Sequence, residues 1–195
     1  MRKSLALTRA DEGKFRFANH DYGKSNVRLL HVERRGLVHH AHELKVSTRL
    51  QLSTLKDYLH ADNADIVATD TQKNTIHVLA RKYGIAGPEQ FALLLARHFL
   101  KRYSHVVRAI VNVEEVPWQR MEMSDGPHNH AFMFCPTSVH YCSVELNRLE
   151  SGELNEPVIR AGLRGLRVLK TTQSKFVDFH KVGRVKFVGL TVGHE

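Results

Sequence analysis

The run Ile66-Val67-Ala68-Thr69-Asp70-Thr71-Gln72-Lys73-Asn74-Thr75 holds the residues best suited to chemistry. β-prone residues lead into Thr-Asp-Thr, and a helical pattern begins directly behind. Such a junction aims backbone N–H groups and a hydroxyl at one spot, which suits a flat polar or anionic ligand. Thr69 with Gln72 three residues on also fits a capping box, with the threonine as helix N-cap. A hydroxyl at a cap can still meet a ligand, so the two roles are compatible. Lys24 follows Tyr22-Gly23 at a strand start. By composition alone it reads as a solvated surface lysine. At its ordinary pKa of about 10.4 a lysine is a poor base near neutral pH. Burial beside other positive groups lowers that value and lets it accept a proton.

The 14 histidines raise the question of a metal. His39, His40 and His42, or His128 and His130, are candidate ligands. Zinc sites draw three or four ligands fixed by outer contacts. Alternation places His128 and His130 on one strand face, which permits a site without specifying one. The two cysteines, Cys135 and Cys142, are too few for a disulfide framework. They read as reduced, half-buried thiols on neighbouring parts of a strand pair, in an intracellular protein.

The elements that must position these groups follow from periodicity. Ser25 to Glu33 and Leu37 to Leu52 read as extended segments joined by a turn at Arg34-Arg35-Gly36. Val27 and Leu29 fall on one face and Leu30 and Val32 on the other, which suggests a strand covered on both faces. Ile76, Leu79, Ala80 and Tyr83 form one helical stripe, with Gly84 as a stop. Pro88 suits the first position of a second helix, whose buried face is Phe91, Leu94, Leu95, His98 and Phe99. Strands resume at Val106, with Val107, Ala109, Val111 and Val113 alternating with Arg108, Ile110, Asn112 and Glu114. Pro117 limits that strand, and Asp125-Gly126-Pro127 is a turn. A fourth strand is expected from His128 past Pro136 to about Leu146. Strand, strand, helix, helix, strand, strand predicts an α+β layer, an antiparallel sheet with two helices on one face. Leu149 to Pro157 reads as a linker, and a further strand signal starts near Gly162 and runs to Ser174.

The bulk properties set outer limits. Of 195 residues, 42% are hydrophobic and 25% charged, an ordinary globular balance. The formal charge of +9 makes a field that attracts anions. Basic residues are spread along the chain and match no nucleic-acid motif, which argues against a nucleic-acid partner. No apolar run approaches membrane-spanning length.

Six segments, in order, resemble the urate oxidase (uricase) family. They are Tyr22-Gly23-Lys24; Asp62-Asn63 with Ile66 to Thr75; Phe91 to Tyr103; Trp118-Gln119-Arg120; His128-Asn129-His130-Ala131-Phe132; and Val168 to Ser174 with Phe176. The wording around Tyr58 and Trp118 looks most like the animal enzymes. The resemblance implies the tunnelling fold, in which each chain carries two such units and four chains assemble around a β-barrel tunnel. It implies oxidation of urate by O2 to 5-hydroxyisourate and hydrogen peroxide, with no metal or organic cofactor. It implies that Lys24 and Thr69 form a proton relay and that Thr69 and Asp70 bind urate through backbone N–H groups. Phe176 would stack on the purine plane from a different subunit, so that the site exists only in an oligomer. A peroxisomal location is implied as well, although the family's C-terminal tripeptide is absent, which leaves a cytoplasmic location open.

After Phe176 the resemblance fails. The expected organisation is a polar extension over 1–20, a first unit over 21–150, the start of an incomplete second unit over 160–179, and a divergent tail over 180–195. The family's arginine, glutamine, histidine and asparagine that act on urate, oxygen and water have no counterparts here. A truncated chain with little or no activity by itself is therefore expected. Two other readings share the fold: a non-catalytic assembly partner of longer subunits, and a zinc enzyme of the pterin type.

Overall fold

Two long strands open the described part of the chain. The computed structural model describes residues 17–173. β1 (Tyr22–Arg35) and β2 (Val38–Leu52) form an antiparallel hairpin closed by a two-residue turn at Gly36-Leu37. In β2, Leu44, Val46, Thr48, Leu50 and Leu52 are buried in strict alternation, the period-two signature of a sheet with one face on a core. The short helix α1 (Lys56–His60) lies in the following loop. Then come α2 (Thr69–Tyr83) and α3 (Pro88–Arg102). Four strands follow: β3 (Val106–Glu115), β4 (Trp118–Met123), β5 (Gly126–Phe134) and β6 (Val139–Asn147). The last described element is β7 (Val158–Arg164).

The main sheet has the order β1-β2-β3-β6-β7, antiparallel throughout. α2 packs on β1, and α3 packs on β3 and β6. The core lies between helices and sheet. Phe91, Leu95 and Phe99 of α3 meet Ala109, Val111, Val113, Val144 and Leu146 there, while Ile76 and Leu79 of α2 close the other end. Burying a side chain such as Phe99 contributes about 1.5–3 kcal/mol. α2 stops at Gly84, whose φ of 71° lies in the region that favours glycine.

Four expectations need correction. β1 is not covered on both faces: Leu30 is 62% exposed. Leu30 is an apolar residue on the outer face, since from Val27 to Arg35 the strand pairs with β2 one residue to one and keeps its alternation. The fourth strand is not continuous. β4 and β5 make a separate two-stranded ribbon, and the chain leaves it at Cys135-Pro136-Thr137 before β6 rejoins the main sheet. Proline lacks the N–H a ladder needs, so it sits at the break. β7 begins earlier than expected and ends at Arg164, so the segment from 165 onward adds no strand among the described residues. The cysteines are unlike each other: Cys135 follows β5 and is half-buried, while Cys142 is fully buried in β6.

Candidate active site

Lys24 owes its direction to two features of β1. The first is Gly23. A Cβ there would come within 1.7 Å of the Thr48 carbonyl oxygen, so only glycine allows the strands to approach this closely. The second is a bulge. The pairs Lys24↔Thr48 and Val27↔Val46 leave β1 with one extra residue. Asn26 absorbs it at φ 58°, and its N–H donates to Ser47 Oγ at 3.0 Å. The extra residue puts Lys24 on the same face as Val27 and Leu29, the helix-covered face. Lys24 is half-buried there, at the end of the sheet where α2 begins.

The start of α2 differs from the capping-box expectation. Ala68 occupies the N-cap position, and no side chain caps the helix. Thr69 is the first helical residue instead. The first intrahelical bond runs from the Gln72 N–H to the Ala68 carbonyl at 3.0 Å. The N–H groups of Thr69, Asp70 and Thr71 therefore have no helical partner, and these residues are exposed. Uncapped donors and the positive end of the helix dipole favour an anionic or acceptor-rich ligand. Asp70 pairs with Lys73 at 3.0 Å. That hydrogen bond and the Lys73 charge hold its carboxyl below the usual carboxylate range, and the nearby Lys24 ammonium adds to the effect. Lys24 thus lies close enough for its charge to act on Asp70, and Thr69 precedes Asp70 at the helix start. Phe176 falls outside the described residues.

Three side chains organise this corner: Tyr22 and Thr48, to which the sequence assigned no role, and Gln72, which it assigned to a capping box. Tyr22 Oη accepts the Val67 N–H at 2.7 Å. Burial pushes its phenol up to about 12, and its bond to Val67 opposes that rise only in part. Gln72 Nε2 donates to the Val67 carbonyl at 3.0 Å, and Thr48 Oγ1 donates to Gln72 Oε1 at 2.7 Å. Gln72 is therefore turned inward to the core, not back to the helix start as a capping box requires. A signal was available: Gln72 is a polar residue on the stripe that continues through Ile76, Leu79 and Ala80.

The histidines do not converge. His128 and His130 have ring centroids 4.6 Å apart, and His39 lies 5.7 Å from His130. His128 Nδ1, however, accepts the N–H groups of His130 and Ala131, which removes it as a ligand atom. Arg120 braces this ribbon, donating to the His39, His128 and Asn129 carbonyls. Among the described residues no group of three or more His, Cys, Asp or Glu side chains is arranged to hold a metal ion.

The sequence profile of the family described as Uricase matches residues 20–145. The chain belongs to the uricase family. It is 46% identical to the uricase of Drosophila subobscura, across 85% of this chain and 54% of that protein. It is 47% identical to the uricase of Oryctolagus cuniculus, across 91% of this chain and 57% of that protein. Among solved structures it superposes on the uricase from Arthrobacter globiformis with a TM-score of 0.70 at 35% identity, covering 84% of this chain and 53% of that one. The urate oxidase of Bacillus sp. TB-90 matches at a TM-score of 0.73 and 23% identity, over 87% of this chain and 62% of that one, and supports the fold alone. The architecture is the tunnelling fold of uricases. The chain spans about half the length of the curated relatives it matches.

Proposed function

We propose that this chain supplies the Lys24–Thr69 part of a site that oxidises urate with O2 to 5-hydroxyisourate and hydrogen peroxide. The carrying observation is the half-buried Lys24 brought to the uncapped, exposed start of α2, beside Asp70. Urate is flat, acidic and rich in acceptors. The N–H groups of Thr69 and Asp70 suit its edge, and Thr69 Oγ1 is the natural bridge to the Lys24 amine. In the overall reaction urate loses two electrons to O2 and gains the elements of water. The protons released in that exchange are the ones Thr69 and Lys24 would pass on. Asp70 binds through its backbone and by its charge at the helix start, not as an acid.

Assembly belongs to the same proposal. Leu30 on the sheet face opposite the helices and Trp118 and Phe134 on the β4–β5 ribbon are exposed, and β7 has no partner on its outer side among the described residues. Both features support pairing with further chain, in an oligomer to which Phe176 of another subunit adds the stacking surface. Residues from 160 onward would then open a second unit. A peroxisomal place of action rests on the family alone.

The test is urate-dependent peroxide release. A chain limited to these 195 residues is expected to match the blank; robust turnover would contradict the view that the other half of the site is needed. A chimera joining residues 1–173 to the remaining half of a curated relative is expected to turn over urate. In it Lys24→Met should lower kcat by about 10²–10⁴-fold, the usual worth of a positioned acid or base. Thr69→Ala, which removes one hydrogen-bonding bridge, should cost roughly 10-fold. Full turnover in the Lys24→Met chimera would refute the relay.

A further inference from the structure

We propose that Thr48 and Gln72 are positioning residues whose buried hydrogen bond holds the start of α2 in place beside Lys24. Among the described residues they are the two buried polar side chains, each fully inaccessible. They stand where the pattern calls for apolar residues, Thr48 between Val46 and Leu50, Gln72 one turn ahead of Ile76. Buried amides and hydroxyls are costly unless bonded, and this pair is bonded along a continuous path. Thr48 Oγ1 donates to Gln72 Oε1, Gln72 Nε2 donates to the Val67 carbonyl, and the Val67 N–H donates to Tyr22 Oη.

The path has informative ends. Thr48 is the register partner of Lys24 across β1 and β2. Val67 is two residues before Thr69, and Tyr22 is two residues before Lys24. Both backbone polar groups of Val67 are thus tied to side chains, one on the strand that carries Lys24 and one reaching the strand beside it. Apolar contacts through Ile76, Leu79 and Ala80 hold α2 against the sheet, but such contacts are non-directional and let a helix slide or rotate. Hydrogen bonds in a dry interior are directional and fix the end of the helix. The inference rests on the urate oxidase reading for what Lys24 and Thr69 do. Where the two are held is a separate matter and can be measured without urate.

The experiment uses the full 195-residue chain by nuclear magnetic resonance. Thr48→Val and Gln72→Met keep the volume and remove the bond, while Thr48→Ser keeps the hydroxyl. Amide exchange is followed at positions 67 and 72, whose N–H groups are hydrogen-bonded at the helix start, and, as an internal reference, across the rest of α2. In parallel the Asp70 carboxyl is titrated with and without Lys24→Met. In the parent chain, Lys24→Met should move the Asp70 midpoint upward, because a nearby positive charge is gone. Thr48→Val and Gln72→Met should raise exchange at the helix start about 10-fold over the rest of α2, the effect of one lost buried hydrogen bond. They should also abolish the response of Asp70 to Lys24→Met, and Thr48→Ser should restore both. Exchange that is unchanged, or raised equally along all of α2, with Asp70 still responding to Lys24, would overturn the proposal. Absence of urate turnover in the chimera would count against the functional reading only, since neither readout involves urate.

Discussion

Gly23 is the residue at which this site is most easily broken. With the Thr48 carbonyl 1.7 Å from where a Cβ would stand, Gly23→Ala must push β1 off β2 just beside Lys24. Overpacking of this kind costs about 1–3 kcal/mol, and chemical denaturation should show it as a lowered midpoint with unchanged slope. The thiols make a second prediction. Burial pushes Cys142 up to about 11, so it stays a protonated, inaccessible thiol at neutral pH. Of the two cysteines in the sequence, Cys135 should react promptly with an aromatic disulfide reagent at pH 8, and Cys142 only on unfolding. Two prompt equivalents would mean that β6 opens readily. At this scale the sequence singled out Lys24, Thr69 and Asp70 as candidates, because resemblance acts on residue types. It did not reveal the direction of Gln72, because the capping-box pattern depends only on spacing. Which way a polar side chain turns is decided by the partner waiting in the core, here Thr48, which lies 24 residues away in sequence.

Among the elements, β7 has little burial, and an ion pair ties its end to β3. Its residues are largely exposed, and Arg164 reaches back to Glu114 at 2.8 Å, where Lys45 also bonds at 3.2 Å. Burial alone would raise the Glu114 carboxyl. The hydrogen bonds from Lys45 and Arg164, with their charges, outweigh it and hold the carboxyl below its ordinary value. A carboxyl more acidic in the fold than in the unfolded chain adds stability above its unfolded pKa of about 4.3. That contribution is lost as the pH falls through the lower folded value. Stability should therefore fall below about pH 4, and Glu114→Gln should flatten that acid limb while lowering stability at neutral pH. An unaltered acid limb in Glu114→Gln would remove this pair from the account. The elements themselves were largely legible. Alternation in β2 and the stripes of α2 and α3 are direct consequences of one-sided burial. The features missed were set by single residues: Asn26, whose bulge shifts Lys24 by one position relative to Val27, and Pro136, which ends one sheet and begins another. Neither signal is periodic, so periodicity could not carry it.

At the scale of the whole molecule, the chain spans about half the length of its relatives and folds one layered unit that carries one side of the proposed site. The basic charge suits an acidic substrate, and the open sheet face and outer side of β7 suit further chain. The central claim is that the corner formed by β1 and the start of α2 is a place for urate. Urate titrated into the isotope-labelled chimera of residues 1–173 with the remaining half of a relative tests it most directly. Saturable shifts are expected at Lys24 and at the amides of Thr69, Asp70 and Thr71, and Lys24→Met should weaken them. Shifts that saturate instead in the groove between β1, β2 and the ribbon, at His39 and His130, or no saturable shifts at all, would contradict it.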